Sequence, residues 1–407
     1  MDSRVNSADT ALRERARRVI PGGLWGHMNA ERLPEGYPQY FASGDGCHLT
    51  DADGRSFIDL MCAWGPIILG HRHPVVEAAA REQAARGDCL NGPGPVLVDL
   101  AETLVDMIPH AAWCQFGKNG TDATTGCVTI ARAATGRRKV MVARGAYHGA
   151  VPWCSPSVAG VTAEDRAHLL HFNYNDIGSI DAAAEQAGDD LAAIVVSAFR
   201  HDMGVPQEMP SPAFAKHVRS VCDGLGAALI LDDVRAGFRL HLGGSWETLG
   251  VRPDLSAFSK AVGNGYALSA VTGREWLRDA AVQVFSTGSF WCGAVSMAAA
   301  LATLEELRRL DAPALLRGLG ERLRDGLAER AAFRGVRISQ TGPVSMPTVL
   351  FEDDPEWKQG FAFCAEALRH GAYLHPKHNM FLSCAHTAED IDVVLNAADR
   401  AFQAVRR

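Results

Sequence analysis

Three short apolar runs constrain this chain most: KVMVA at Lys139–Ala143, LAAIVVSA at 191–198 and AALILDD at 227–233. Helical stretches such as Pro212–Leu225 separate them. Continuous apolar strands alternating with helices indicate an α/β fold whose mostly parallel sheet is covered on both faces. A length of 407 residues with 47% hydrophobic residues supports a sizeable core, in two domains or in one large domain with a satellite. After Ser296, the segments MAAALATLEELRRL and APALLRGLGERLRDGLAERAAF read as long amphipathic helices that leave the sheet and begin a second lobe. There is no internal repeat and no low-complexity linker, so a second domain is expected to be built from the two chain ends.

Composition excludes several partners. A formal net charge of −7 gives no electrostatic case for binding nucleic acid or an acidic membrane surface. The opening MDSRVNSADTALRERARRVIPGG has no apolar signal core, and no later run is long enough to span a bilayer, so the expectation is a cytoplasmic protein. Ten cysteines are scattered singly without a C-x-x-C pair, which indicates neither a zinc site nor a disulfide framework, and no metal is expected.

The chemistry concentrates in 229–260. Asp232 ends an apolar strand and Lys260 follows in a small-residue context. A buried carboxylate can pair with a pyridinium nitrogen, and a lysine of lowered pKa can hold an aldehyde as a Schiff base, the two protein groups that pyridoxal phosphate chemistry needs most. An Asp after a strand and a Lys in a turn are also common without any such role. In FGKNGTDATTGCVTIARAATG, the turn Asn119-Gly120-Thr121 opens a helix whose free N–H groups suit a phosphate, although the same residues make an ordinary helix cap. In RGAYHGA, Tyr147 can lie flat against a planar ring or form a packed corner with His148.

The order of these pieces resembles the class III aminotransferases of fold type I, which depend on pyridoxal 5′-phosphate (PLP), and particularly their glutamate-1-semialdehyde aminomutase-like branch. The resemblance runs through IPGG at 20–23, GCHLTDADGRSFIDL at 46–60, AWGPIILGHRHP at 63–74, the Asn-Gly-Thr-Asp-Ala turn and Tyr147-His148-Gly149. It continues through Asp232-Asp233-Val234 with Gly237-Phe238-Arg239, Lys260, TGSF before MAAALATLEEL, and AHTAEDIDVVLNAADRAF. It implies a large PLP-binding domain at 61–309 with a mostly parallel seven-stranded sheet between helices. A smaller α+β domain would come from 310–407, with 1–60 contributing to it and to the active-site entrance.

The resemblance also implies roles. Lys260 would form the Schiff base and then move the proton; Asp232 would keep the pyridine nitrogen protonated; Tyr147 and Val234 would cover the two ring faces. Asn119, Gly120 and Thr121 would hold the phosphate, His148 and Asp202 would lie at the cofactor, and Ser289 would reach the phosphate of a neighbouring subunit. A homodimer with shared sites follows from that last role.

Departures bear on the substrate. Asn29 stands where the aminomutase branch has an arginine that binds the substrate carboxylate, and a neutral amide cannot make that bidentate ion pair. HPKHNMFLS at 375–383 replaces Phe-Glu-Ala-Gly-Phe, and VPWCSPSVAGVTAED replaces a glycine-serine gating loop. Asp202 replaces an asparagine and would need a proton or a cation nearby. Arg235 reads as a carboxylate or phosphate anchor or as half of a structural ion pair. Trp25, His27, Met28, Trp64, Trp153, His375, Lys377 and His378 fall at pocket-lining positions and suit a hydroxylated or cyclic amine.

The reading is a ping-pong aminotransferase that moves an amino group between an amino-acid donor and a carbonyl acceptor, with the cofactor passing through its pyridoxamine phosphate form. An aminomutase, epimerase or decarboxylase on the same fold is the alternative. A non-catalytic binding protein is the remote one, since neither the lysine nor the aspartate is damaged.

Overall fold

The computed structural model describes residues 7–405. The chain divides into two compact units. One comprises the described parts of Met1–His73 and Ala314–Arg407 with Met203–Pro206; the other comprises Pro74–Asp202 and Gln207–Pro313.

The unit of Pro74–Asp202 and Gln207–Pro313 is built on a seven-stranded sheet. Its strands run, edge to edge, Trp113–Gly117, Ser269–Gly273, Leu255–Phe258, Ala228–Asp232, Leu191–Ser197, Lys139–Ala143 and Leu169–Phe172. Only Ser269–Gly273 is reversed, pairing antiparallel with both neighbours. The remaining pairs are parallel. This is the mostly parallel α/β sheet expected from the apolar runs, and its central strands are buried on both faces.

Alternation along those strands feeds two cores. Leu191, Ile194 and Val196, with Leu229 and Leu231, pack against Ile180, Phe214 and Val218 of the helices Ile177–Ala187 and Pro212–Leu225. Ala193, Val195, Ala228 and Ile230 face Ala123, Cys127 and Ile130 of the helix Gly120–Thr135. Each large buried aliphatic side chain contributes roughly 1.5–3 kcal/mol to this layering. The first long helix expected after the sheet, Ala294–Arg309, stays with this unit and packs on Pro74–Ala84 and Val96–Met107. The second, Ala312–Arg334, carries the chain into the other unit.

That other unit holds a four-stranded sheet in the order Phe41–Asp45, His48–Asp51, Ser56–Asp59, Ala372–Tyr373. The first three form an antiparallel meander and the last pairs in parallel, joining the two ends of the chain. A hairpin of Ile338–Thr341 and Thr348–Phe351 and the packed helices Lys358–Arg369 and Ala388–Val405 complete it. No helix among the described residues is long and apolar enough to cross a membrane.

Candidate active site

The five sheet strands that precede candidate residues all end on the same side of the sheet. Ser197 is level with Asp232 and Asp232 with Ala257, while Gly117 lies opposite Ser269 of the reversed strand. The turns beyond Gly117, Ala143, Ser197, Asp232 and Phe258 carry Asn119 to Thr121, Tyr147 and His148, Asp202, Val234 and Arg235, and Lys260 respectively. Carboxyl ends of strands in open α/β sheets are where ligands bind.

Asp232 is buried, and its Oδ2 lies 2.7 Å from Nδ1 of His148, itself buried. The imidazole Nδ1–H donates to the carboxylate. The His148 carbonyl accepts from Thr124 Oγ1 at 2.6 Å, and its ring stacks on Trp153 at 6.3 Å between centroids and 13° between planes. The Trp153 indole donates to Thr125 Oγ1. Trp153 therefore supports the aspartate–histidine pair. Asp232 Oδ1 accepts the Val234 N–H at 3.2 Å.

Lys260 begins a 3-10 turn directly after the strand Leu255–Phe258 and has φ +47, a left-handed conformation uncommon for a lysine. Ser259 Oγ donates to the Leu268 carbonyl and pins the start of that turn. Burial lowers the Lys260 amine to about 7; the Arg235 guanidinium adds to the shift, Asp232 opposes it and Arg239 adds a smaller part. Such an amine is substantially neutral near pH 7, as a nucleophile or base must be. Burial also draws Arg235 down to about 10, against the opposing charges of Asp232, Tyr147 and Asp202. His201 is held neutral, its pKa well below the usual imidazole range, first by burial and then by Arg235 and Lys260.

The helix Gly120–Thr135 begins with a capping box. Asn119 Oδ1 accepts from Asp122 N at 3.1 Å, and Asp122 Oδ2 accepts from the backbone and side-chain nitrogens of Asn119. The Asn119 side chain is thus engaged in the cap, and the first-turn N–H groups of Gly120 and Thr121 are free of intrahelical partners and suit an anion. Space around them is tight. A Cβ on Gly120 would come within 2.7 Å of Val234 Cγ1, and one on Gly149, at φ +134, within 2.6 Å of Thr121 Oγ1. Tyr147 is 43% exposed.

Asp202 has the cation its position demanded, since Oδ2 accepts from Arg200 Nε at 2.8 Å. The carboxylate also lies against Gly145. Neither Arg200 nor His201 was singled out in the sequence, although both stand in the same short RHD run as Asp202. Ser289 is exposed, in a segment that also exposes Phe285 and Phe290.

Most of the residues expected at a substrate pocket belong to the other unit. Edge-to-face contacts join His27 to Trp64 at 4.6 Å, and Trp64 to His375 at 5.3 Å and to His378 at 4.9 Å. His375 Nδ1 accepts the N–H groups of Lys377 and His378, so its Nε2 carries the proton. Its pKa is lowered to about 4, by burial first and then by Lys377 and His27, and the ring is neutral. Lys377 Nζ lies 3.9 Å over the Trp357 ring. Trp25 is 67% exposed and has no ring contact among the described residues. Asn29 is occupied locally, donating to the Leu24 carbonyl and accepting from Glu31 N.

The residues of the sheet unit fit PLP on their own geometry. A buried carboxylate is held by an imidazole, a lysine has its amine lowered to about 7, and a glycine-lined helix start has free N–H groups that suit a phosphate. His148 Nε2, moreover, is buried with no hydrogen-bond partner among the described residues.

Comparison with known proteins agrees. Residues 34–401 match the family described as Aminotransferase class-III. The chain is 47% identical to an aminopentol aminotransferase of Sphingopyxis macrogoltabida, covering 97% of this chain and 94% of that one. It is 32% identical to a glutamate-1-semialdehyde 2,1-aminomutase of Syntrophobacter fumaroxidans, covering 97% of each. A solved structure of a Sphingopyxis sp. MTA144 protein in its PLP internal aldimine form superposes with a TM-score of 0.97 at 46% identity, covering 98% of this chain and 96% of that one. The chain belongs to the class III aminotransferases and is a PLP-dependent enzyme of fold type I.

Proposed function

We propose that this aminotransferase exchanges an amino group between an amino acid and the carbonyl carbon of a hydroxylated compound, with an amine of the aminopentol kind as the other partner of the pair. The observation that carries the substrate class is the engagement of Asn29 by the Leu24 carbonyl and the Glu31 amide. A side chain spent on backbone caps, and uncharged, leaves no ion-pairing group where the aminomutase branch binds a carboxylate. The similarity to an aminopentol aminotransferase supports the same reading.

PLP, when bound, supplies an aldehyde for the incoming amine and a ring that withdraws electrons from the carbon bearing it. Gly120 and Thr121 would hold its phosphate through their backbone N–H groups. Asp232, oriented by His148, would pair with the ring nitrogen and keep it protonated. Lys260 Nζ, its pKa lowered to about 7, would take a proton from the substrate carbon and return it as an acid. Tyr147 and Val234 would cover the ring, and Asp202, paired with Arg200, would lie at the cofactor. Arg235 keeps the Lys260 amine low.

The reading extends to a cytoplasmic homodimer in which Ser289 contributes to the neighbouring site. The exposed Phe285 and Phe290 around it support that arrangement, since large apolar groups at 92% and 68% exposure are suited to an interface.

A test compares single-turnover conversion of the bound cofactor by alkylamines with and without vicinal hydroxyls and by glutamate-1-semialdehyde. Faster conversion by the hydroxylated amine, with a carbonyl product, supports the proposal; preference for glutamate-1-semialdehyde with isomer formation overturns it.

A further inference from the structure

Outside the cofactor site, one group of side chains brings three different metal-ligating donors together. Cys47, His48 and Asp390 place a sulphur, an imidazole nitrogen and a carboxylate oxygen within 4.8 Å of one another. Cys47 Sγ lies 3.5 Å from His48 Nδ1 and 3.3 Å from Asp390 Oδ2, and the far imidazole nitrogen, Nε2, is 3.7 Å from Asp390 Oδ1. Zinc bonds of about 2.3 Å to sulphur and about 2.0–2.2 Å to nitrogen or oxygen make tetrahedral edges of roughly 3.3–3.7 Å. The two contacts to the sulphur fall in that range without any movement of the backbone.

Regular structure fixes the donors. His48 opens the strand His48–Asp51, and the carbonyl of Cys47, in the turn just before it, accepts from Asp59 N of the adjacent strand. Asp390 lies in the first turn of the helix Ala388–Val405, and its Oδ2 accepts from both the N–H and the hydroxyl of Thr387 at 2.9 Å. Those bonds hold the carboxylate in place as outer partners hold a ligand. Cys47 is buried, Asp390 half-buried and His48 exposed, so an ion would have both a fixed floor and a path from solvent.

We propose that Cys47, His48 and Asp390 form a zinc site, with water completing the coordination, that ties the strand His48–Asp51 to the helix Ala388–Val405. Sulphur, imidazole and carboxylate together select a borderline-soft divalent ion over magnesium or calcium. The cysteine spacing concealed the site because its third donor lies 343 residues from Cys47. Three donors in one unit stabilise that unit when filled, with no role in moving the amino group.

The experiment uses the holoenzyme, freed of metal by a chelator and dialysed against micromolar zinc, beside Cys47→Ser and His48→Gln. His48 is exposed, so His48→Gln keeps the fold even where Cys47→Ser disturbs it, and circular dichroism checks both. One zinc per chain is expected in the parent protein, raising the unfolding temperature, with affinity lower by about tenfold or more in either variant. Cobalt in place of zinc should give a sulphur-to-cobalt absorption band that is absent from Cys47→Ser. Amino-transfer rates without zinc should be the same for the parent and His48→Gln. Zinc binding that is absent from the parent, or equally tight in the parent and in His48→Gln, overturns the site.

Discussion

His148 Nδ1 and Asp232 Oδ2 lie 2.7 Å apart, in a buried pair that joins the turn after the strand Lys139–Ala143 to the end of the strand Ala228–Asp232. A buried hydrogen bond to a charged group contributes about 1.5–3 kcal/mol, and removing one partner leaves the other without compensation. His148→Ala is therefore expected to weaken cofactor retention and slow turnover by about tenfold to a hundredfold. Loss of the bound chromophore on dialysis and kcat report the two effects.

Arg235 is the second cause, after burial, of the low Lys260 pKa of about 7. In Arg235→Met that contribution disappears and the amine rises toward its ordinary value. More Lys260 is then protonated at pH 7, so the acid limb of the rate profile should move to higher pH. An unmoved limb would show that the guanidinium does not act on Lys260.

Gly149 combines φ +134 with a would-be Cβ contact of 2.6 Å to Thr121 Oγ1. Gly149→Ala requires both a strained backbone and displacement of the Thr121 side chain in the helix-start turn, at a cost of about 1–3 kcal/mol. A lowered unfolding temperature together with weaker PLP affinity is the expected result.

Asp233 is fully buried and its carboxyl is raised to about 6, by burial against the opposing hydrogen bonds from the Ser245 hydroxyl and N–H. A folded-state pKa above the unfolded one gives stability that is fully present below about pH 4 and lost as pH rises through about 6. The two-unit difference corresponds to about 2–3 kcal/mol. Asp233→Asn can keep both contacts to Ser245 without a charge, so the unfolding free energy of the parent should fall relative to this variant between pH 4 and pH 6. Parallel curves would contradict the assignment.

What the sequence made legible were the features set by local chemistry. Uninterrupted apolar runs gave the parallel strands, and the spacing of an acid and a lysine around one strand marked Asp232 and Lys260. Functions set by through-space partners were hidden. Asn119 reads equally as a phosphate ligand or as a cap, and its capping bonds to Asp122 become visible only in the fold. The stacking of Trp153 on His148 has no signature in the sequence. The cation that Asp202 required stood two residues away in Arg200, unrecognised because an i, i+2 pair meets only when the chain turns there. The proton position on His375 depends on two backbone amides and has no signature in residue type.

The most direct test of the account is the absorption spectrum of the purified enzyme during titration with amino donors, alongside Lys260→Ala. The account predicts that glutamate, alanine or a hydroxylated alkylamine converts the aldehyde form of the cofactor to its amine form. A matching carbonyl product should be released, and Lys260→Ala should convert at least about a thousandfold more slowly, the loss expected for a positioned acid–base group. Turnover that leaves the aldehyde form in place, with carbon dioxide or an isomer as product, would contradict it.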